Sequence, residues 1–145
     1  MSMDILAGLR QFVSDTKLHP VLVNFTTALV PVSVGSDWAA RILKKDSLAE
    51  AAWWCLAYAV FITPFTALSG WLFWMKDDEG AAGMAIHKWL GIAMVFLLAA
   101  LFLWRRRFRQ QGHRVSGAYL ALGFVLVVVL AYQGHLGGVQ VFSGM

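Results

Sequence analysis

Three of the four histidines, His19, His87 and His135, stand at or just beyond an end of an expected apolar span of the chain. An imidazole nitrogen is an axial ligand for haem iron and a ligand for zinc, copper or iron. Around His87 the sequence is unusually small: Gly83, His87 and Gly91 are spaced by four and share one helix face. Gly70 falls near the same depth on the preceding apolar run, and Gly134, Gly137 and Gly138 flank His135. A flat macrocycle needs such clearance beside its axial ligands, and Met84, one turn before His87, is a further sulfur ligand candidate. No Cys-x-x-Cys-His run is present, so covalent c-type haem is excluded and noncovalent haem b is the cofactor this pattern fits. The same three histidines, with solvent or Met84, would also make a centre for copper, zinc or iron. A plainer reading gives each histidine a helix end or a neighbouring carbonyl to satisfy. Small residues, likewise, let membrane helices approach with no ligand between them.

The elements that carry these residues follow from the spacing of charge. Of 145 residues 59% are hydrophobic and 14% charged, against roughly 45–50% and 25% in soluble domains. No Asp, Glu, Lys or Arg occurs from Leu18 to Ser36, Ala51 to Met75, Trp89 to Trp104 or Val115 to Met145. A membrane crossing takes roughly 17–25 predominantly apolar residues. The expected fold is therefore all-α: an integral membrane antiparallel four-helix bundle in a single domain, 1–145. Its transmembrane helices are expected near 19–38, 48–74, 85–104 and 116–133, with an apolar, Gly-rich tail after the last. Ahead of them, Ile5, Leu6, Leu9, Phe12 and Val13 recur on one helix face, which predicts a short amphipathic interfacial helix over 2–14. Pro20 suits a first helical turn. Pro64 is expected to bend the second span and free a carbonyl for Thr63 or Thr66 to accommodate.

Lys and Arg set the orientation. The first and third connections hold Arg41, Lys44, Lys45, Arg105, Arg106, Arg107, Arg109 and Arg114, eight of the twelve cationic residues. The positive-inside rule puts these connections in the cytoplasm of a bacterial-type inner membrane and both termini in the periplasm. All three span-end histidines then share the periplasmic edge, while His113 lies in the cytoplasmic basic segment. Trp38 and Trp104 suit one interfacial belt, and Trp71, Trp74 and Trp89 the other. Arg105 to Arg109 read as a topology anchor, or as a contact for anionic lipid. The net charge of +4 resides in these connections and does not indicate nucleic acid. Cys55, the single cysteine, sits inside an apolar run where neither an intramolecular disulfide nor thiolate chemistry is expected. Hydrolase and nucleotide-binding motifs are absent. With no buried charge pair and no inverted repeat apparent, a transporter is disfavoured.

His19-Pro20-Val21-Leu22-Val23-Asn24-Phe25, then Ala28-Leu29, Asp37, Ser69-Gly70-Trp71, His87 and Gly137-Gly138 together resemble the pattern of an uncharacterised bacterial family of four-helix predicted inner-membrane proteins. That family opens on His-Pro-x-x-Val-x-Phe and closes on a Gly-Gly segment after its last helix. The resemblance spans most of the chain. It implies the four-span topology and directs attention to His19 and His87. Thr26 stands where the family pattern carries a proline, which implies a straighter first helix.

The expected function is a small inner-membrane protein that binds haem b at its periplasmic edge through His87 and either His19 or His135 and transfers electrons. The alternatives are a histidine-rich metal-binding membrane protein and a non-catalytic structural or assembly subunit of a membrane complex. Membrane lipid is the expected surroundings. A quinone, a periplasmic redox protein, a second copy of the chain or a larger membrane complex are the expected partners. No catalytic residue is assigned.

Overall fold

The computed structural model describes residues 2–73 and 82–143. They form five helices: α1 (Ser2–Asp15), α2 (Leu18–Leu43), α3 (Asp46–Phe73), α4 (Ala82–Gln110) and α5 (Gly117–Ser143), with no strand among the described residues. The expected end of the second span at Trp74 lies outside them, as do Met75, the acidic segment Asp77 to Glu79, and Met145.

Four of the helices, all but α1, are long and apolar enough to cross a membrane. Their outward surfaces support that setting: Phe61, Phe65, Phe96, Leu103, Phe124 and Val128 are all exposed. A water-soluble protein rarely tolerates so much contiguous apolar surface. The buried positions are occupied by Val30, Ala52, Leu56, Ala59, Met94, Leu98, Leu101, Tyr119, Leu120 and Leu126. Large side chains thus face outward as well as inward, the pattern of a helix hydrophobic all round. The amphipathic α1 keeps Ile5, Leu9 and Phe12 exposed and buries Val13, packing against α2 and α3.

The helices run longer than the charge pattern predicts. Lys44 takes a left-handed conformation at the end of α2, and only Lys44 and Lys45 separate that helix from α3. Arg105 to Arg109 lie inside α4, not in a connection. That helix stops at Gly112, whose φ of 65° lets the His113 amide reach back to the Phe108 carbonyl at 3.0 Å. This six-to-one closure satisfies a terminal carbonyl, and glycine adopts it without steric cost. The stretch expected as a tail is the continuation of α5. Its glycines cost helix propensity, but an apolar medium offers the backbone no alternative partner.

Pro64 lies within α3, which continues through it. Thr63 donates to the Ala59 carbonyl at 2.6 Å and Thr66 to the Ile62 carbonyl at 3.2 Å. Neither hydroxyl therefore takes the carbonyl of Val60, the one left without its usual amide by the proline. Thr66 is instead turned toward α2, 3.3 Å from the Thr26 hydroxyl.

Helix α2 packs against α3 and α5, and α4 packs against the same two helices; α2 and α4 make no close backbone approach. Long side chains bridge them. Contrary to the sequence expectation of no buried charge pair, Arg105 of α4 donates to Asp37 of α2 through Nε at 2.8 Å and through a terminal nitrogen at 2.7 Å. Both side chains are buried. The same guanidinium donates to the Ala49 carbonyl of α3 at 2.7 Å. Beside it, the buried Tyr119 hydroxyl stands near Asp37 but makes no hydrogen bond of ordinary geometry, while its ring meets Trp104 edge-on at 5.8 Å. Removing an unsatisfied buried hydroxyl relieves a desolvation cost. Tyr119→Phe is accordingly expected to keep or raise the thermal midpoint in detergent; a fall of several degrees would show that the hydroxyl bonds to Asp37.

Candidate functional site

At the opposite end of α2 and α4 from that ion pair, His19 and His87 face each other. Their ring centroids are 6.3 Å apart and their planes 88° apart. Each imidazole is seated on a helix of the other kind. Nδ1 of His19 lies 3.1 Å from the Thr66 carbonyl of α3 and 3.1 Å from the Ser69 hydroxyl, and that hydroxyl itself donates to Thr66 at 2.8 Å. Nδ1 of His87 lies 2.9 Å from the Gln133 carbonyl of α5. A carbonyl only accepts, so the proton of each neutral ring sits on Nδ1 and the lone pair on Nε2. Metal-binding histidines are oriented in the same way, by an Nδ1–H bond to a carbonyl that frees Nε2. The plain reading of these residues as partners of neighbouring carbonyls thus holds for Nδ1 and leaves Nε2 available.

Glycine makes both seats possible. A Cβ added at Gly70 would stand 2.8 Å from Cε1 of His19, and one at Gly137 would stand 2.9 Å from Cε1 of His87. Gly70 was expected to clear space for a macrocycle and Gly137 to flank His135; each in fact lets an imidazole lie directly on a helix backbone. Alanine normally gains roughly 0.5–1 kcal/mol over glycine in a helix. At these two positions the sign should reverse, because Cβ and the ring cannot share the space. Gly137→Ala and Gly70→Ala are expected to lower the thermal midpoint in detergent. Gly134→Ala, with nothing within 4 Å of its Cβ, should leave it equal or higher. Equal behaviour of all three variants would remove the seats from the account.

The two rings line a cavity of about 660 Å³ between α2, α3, α4 and α5, with Met84, Gly91, Met94, Gln133 and Gly137 among its walls. Gly91 faces inward, its Cβ position 3.1 Å from the Gln133 side-chain amide. Gly83 lies at the start of α4 and does not line the cavity. Neither does His135, which is exposed on α5. Residues 135 and 137 are two apart on a helix, about 200° around the axis; a glycine facing His87 therefore turns His135 away. Among the described residues no three His, Cys, Asp or Glu side chains converge on a common point, so the triad of His19, His87 and His135 is not assembled. Trp71 and Trp89 meet edge-on at 6.5 Å near this end, with the Lys88 ammonium 3.9 Å above the Trp71 ring. Trp74 lies outside the described residues.

Over residues 15–144 the chain matches the family model described as "Predicted membrane protein (DUF2231)". The chain belongs to this family. The matched region takes in all four span-length helices, both histidine seats and the Asp37–Arg105 pair. The membrane assignment of the DUF2231 family agrees with the lengths and composition of these helices. No curated protein and no solved structure matches the chain.

The seats of His19 and His87 lie on partner helices, which patterns read along one helix at a time do not reveal. The signal that could have found them is a repeated spacing: Gly70 follows His19 by 51 residues and Gly137 follows His87 by 50.

Proposed function

We propose that this protein holds noncovalent haem b between His19 and His87 and passes electrons at the periplasmic edge of the bacterial inner membrane. Its four spans form an antiparallel bundle with both termini periplasmic. The observation that carries this reading is the opposed pair of imidazoles, each anchored through Nδ1, with 6.3 Å between ring centroids. Two nitrogen–metal bonds of about 2 Å each, with a ring radius at either end, fill a gap of that size. Two protein nitrogens suffice for haem iron, because the macrocycle supplies the other four, whereas a closed structural zinc site takes four protein ligands. The cavity volume of about 660 Å³ falls within the roughly 300–1,000 Å³ usual for small-molecule and cofactor sites. Bound haem would supply one-electron chemistry; the helices would contribute burial and the Nδ1 contacts that tune its potential. Met84, on the wall of the same cavity, is the alternative axial donor. A quinone or a periplasmic redox protein would exchange the electrons.

Protein purified from haem-replete cells should show a Soret band and reduced-state visible bands of b type. A folded apo-protein unable to take up added haem would overturn the proposal. Metal analysis of the same sample would then report whether the pair holds a copper, zinc or iron ion. The orientation has its own test, in a Cys55→Ala background. Cysteine at Arg10 should react with an impermeant thiol reagent in intact cells, and cysteine at Gln110 only after permeabilisation. The reverse pattern would place the histidines in the cytoplasm.

A further inference from the structure

The hairpins α2–α3 and α4–α5 repeat one another. His19 and His87 each stand in the first helical turns of a hairpin and lie on a glycine of its second helix, Gly70 or Gly137. Each reaches the carbonyl one turn before that glycine, of Thr66 or Gln133. Each is followed, 18 positions later, by a charged residue, Asp37 or Arg105. Eighteen residues make five full turns and about 27 Å of helix, so histidine and charge share one face at opposite ends. One offset of 68 residues carries His19 to His87 and Asp37 to Arg105, and an offset of 67 carries Thr66 to Gln133 and Gly70 to Gly137. Because the histidines meet at one end and the charges at the other, α2 and α4 run parallel. The repeats are thus related by a pseudo-two-fold axis along the helices.

The equivalent pairs across that axis are chemically unlike. At the histidine end both repeats keep the same residue. Two facing imidazoles do not attract one another strongly, but they suit a ligand shared between them. At the other end the repeats must differ, since two aspartates or two arginines would repel across the axis. Asp37 and Arg105 differ in the one way that binds α2 to α4, by a fork of two parallel hydrogen bonds. A fork fixes direction as well as distance. With no close backbone approach between α2 and α4, side chains must set how these diagonal helices stand to one another. A slip of one residue would shift a histidine by 1.5 Å along the axis and about 100° around it, off the facing surface.

We infer that the Asp37–Arg105 pair is a positioning device that holds α2 and α4 in the register at which His19 and His87 face each other. This deepens the haem reading and rests on it for its purpose, but its test does not require haem. In a Cys55→Ala background, His19→Cys with His87→Cys offers two thiols for a short bifunctional thiol cross-linker in membranes. The Asp37→Leu/Arg105→Met double variant removes both charges together, which buried pairs commonly tolerate without loss of stability. It is expected to fold with unchanged helicity while its 19–87 cross-linking falls several-fold. The charge swap Asp37→Arg/Arg105→Asp should restore most of the yield. Should the apolar pair fail to accumulate, Asp37→Asn/Arg105→Gln serves the same purpose. Should the swap fail, Arg105→Lys, which keeps the charge without the fork, should give an intermediate yield. Cross-linking in a folded uncharged variant equal to that of the parent would overturn the inference. In protein with native histidines, the uncharged variant should also lose low-spin haem signal. The expected fall in cross-linking with no haem in any variant would instead count against the haem reading alone.

Discussion

His87→Ala is expected to abolish the haem b spectrum or convert it to a high-spin form, while His135→Ala leaves it unchanged. The difference follows from where the two side chains point. His87 lines the cavity and is held there by the Gln133 carbonyl, 2.9 Å from Nδ1, and by contact with Gly137. His135 is exposed on the other side of the same helix that supplies this seat. Loss of an axial nitrogen removes a bond to iron and not packing alone, so the change should appear at full helicity. His19→Ala should match His87→Ala, since both rings have the same anchoring. The measurement is the oxidised and reduced visible spectrum of purified protein, normalised to folded protein by circular dichroism. If His19→Ala retained a low-spin spectrum, Met84 would be the sixth ligand. If His135→Ala lost the spectrum, the pairing of His19 with His87 would be wrong.

How much of this was visible in the sequence differs by scale. Four spans follow from the charge-free stretches because an apolar medium leaves a chain few ways to satisfy its backbone, and four helices of sufficient length are found. Their ends were less legible. The glycines of α5 and the arginines of α4 resemble stop signals, yet both helices run on through them. The shared span-end position pairs His87 with either His19 or His135; the structure brings the His19 ring, not that of His135, to 6.3 Å from His87. His135 was grouped with them because proximity to a span end says nothing of azimuth, and two residues of displacement reverse the direction a side chain points. Gly137 escaped its role for the complementary reason: what it accommodates comes from another helix. Arg105 was read with the basic cluster that follows it, although its spacing from His87 duplicates that of Asp37 from His19. Such correspondence between the halves of the chain is internal evidence that reading one span at a time passes over.

Asp37→Ala is expected to be the most destabilising single substitution outside the helix backbones. The carboxylate and guanidinium are bonded at 2.7 and 2.8 Å with side chains 2% and 5% exposed. Removing one member of such a pair leaves the other as an uncompensated buried charge, at a cost of about 3–5 kcal/mol. Arg105→Ala should cost a comparable amount and also frees the Ala49 carbonyl, so it tests whether the tie to α3 adds anything. By contrast, Arg109 and Glu50 form a pair at 2.5 Å that is 42% and 49% exposed. Solvent screening leaves exposed pairs little net stabilisation, and Glu50→Ala should scarcely move the midpoint. Thermal unfolding in one detergent, followed by circular dichroism, ranks the three variants on a common scale. The Asp37→Leu/Arg105→Met double variant belongs on the same scale, where it should stand far closer to the parent than either single variant does. That ordering would separate the price of an orphaned charge from the contribution of the pair. A single variant as stable as the parent would mean that water reaches the site through the cavity of about 410 Å³ that Asp37 and Arg105 themselves line; the pair would then be too well solvated to hold two helices in register.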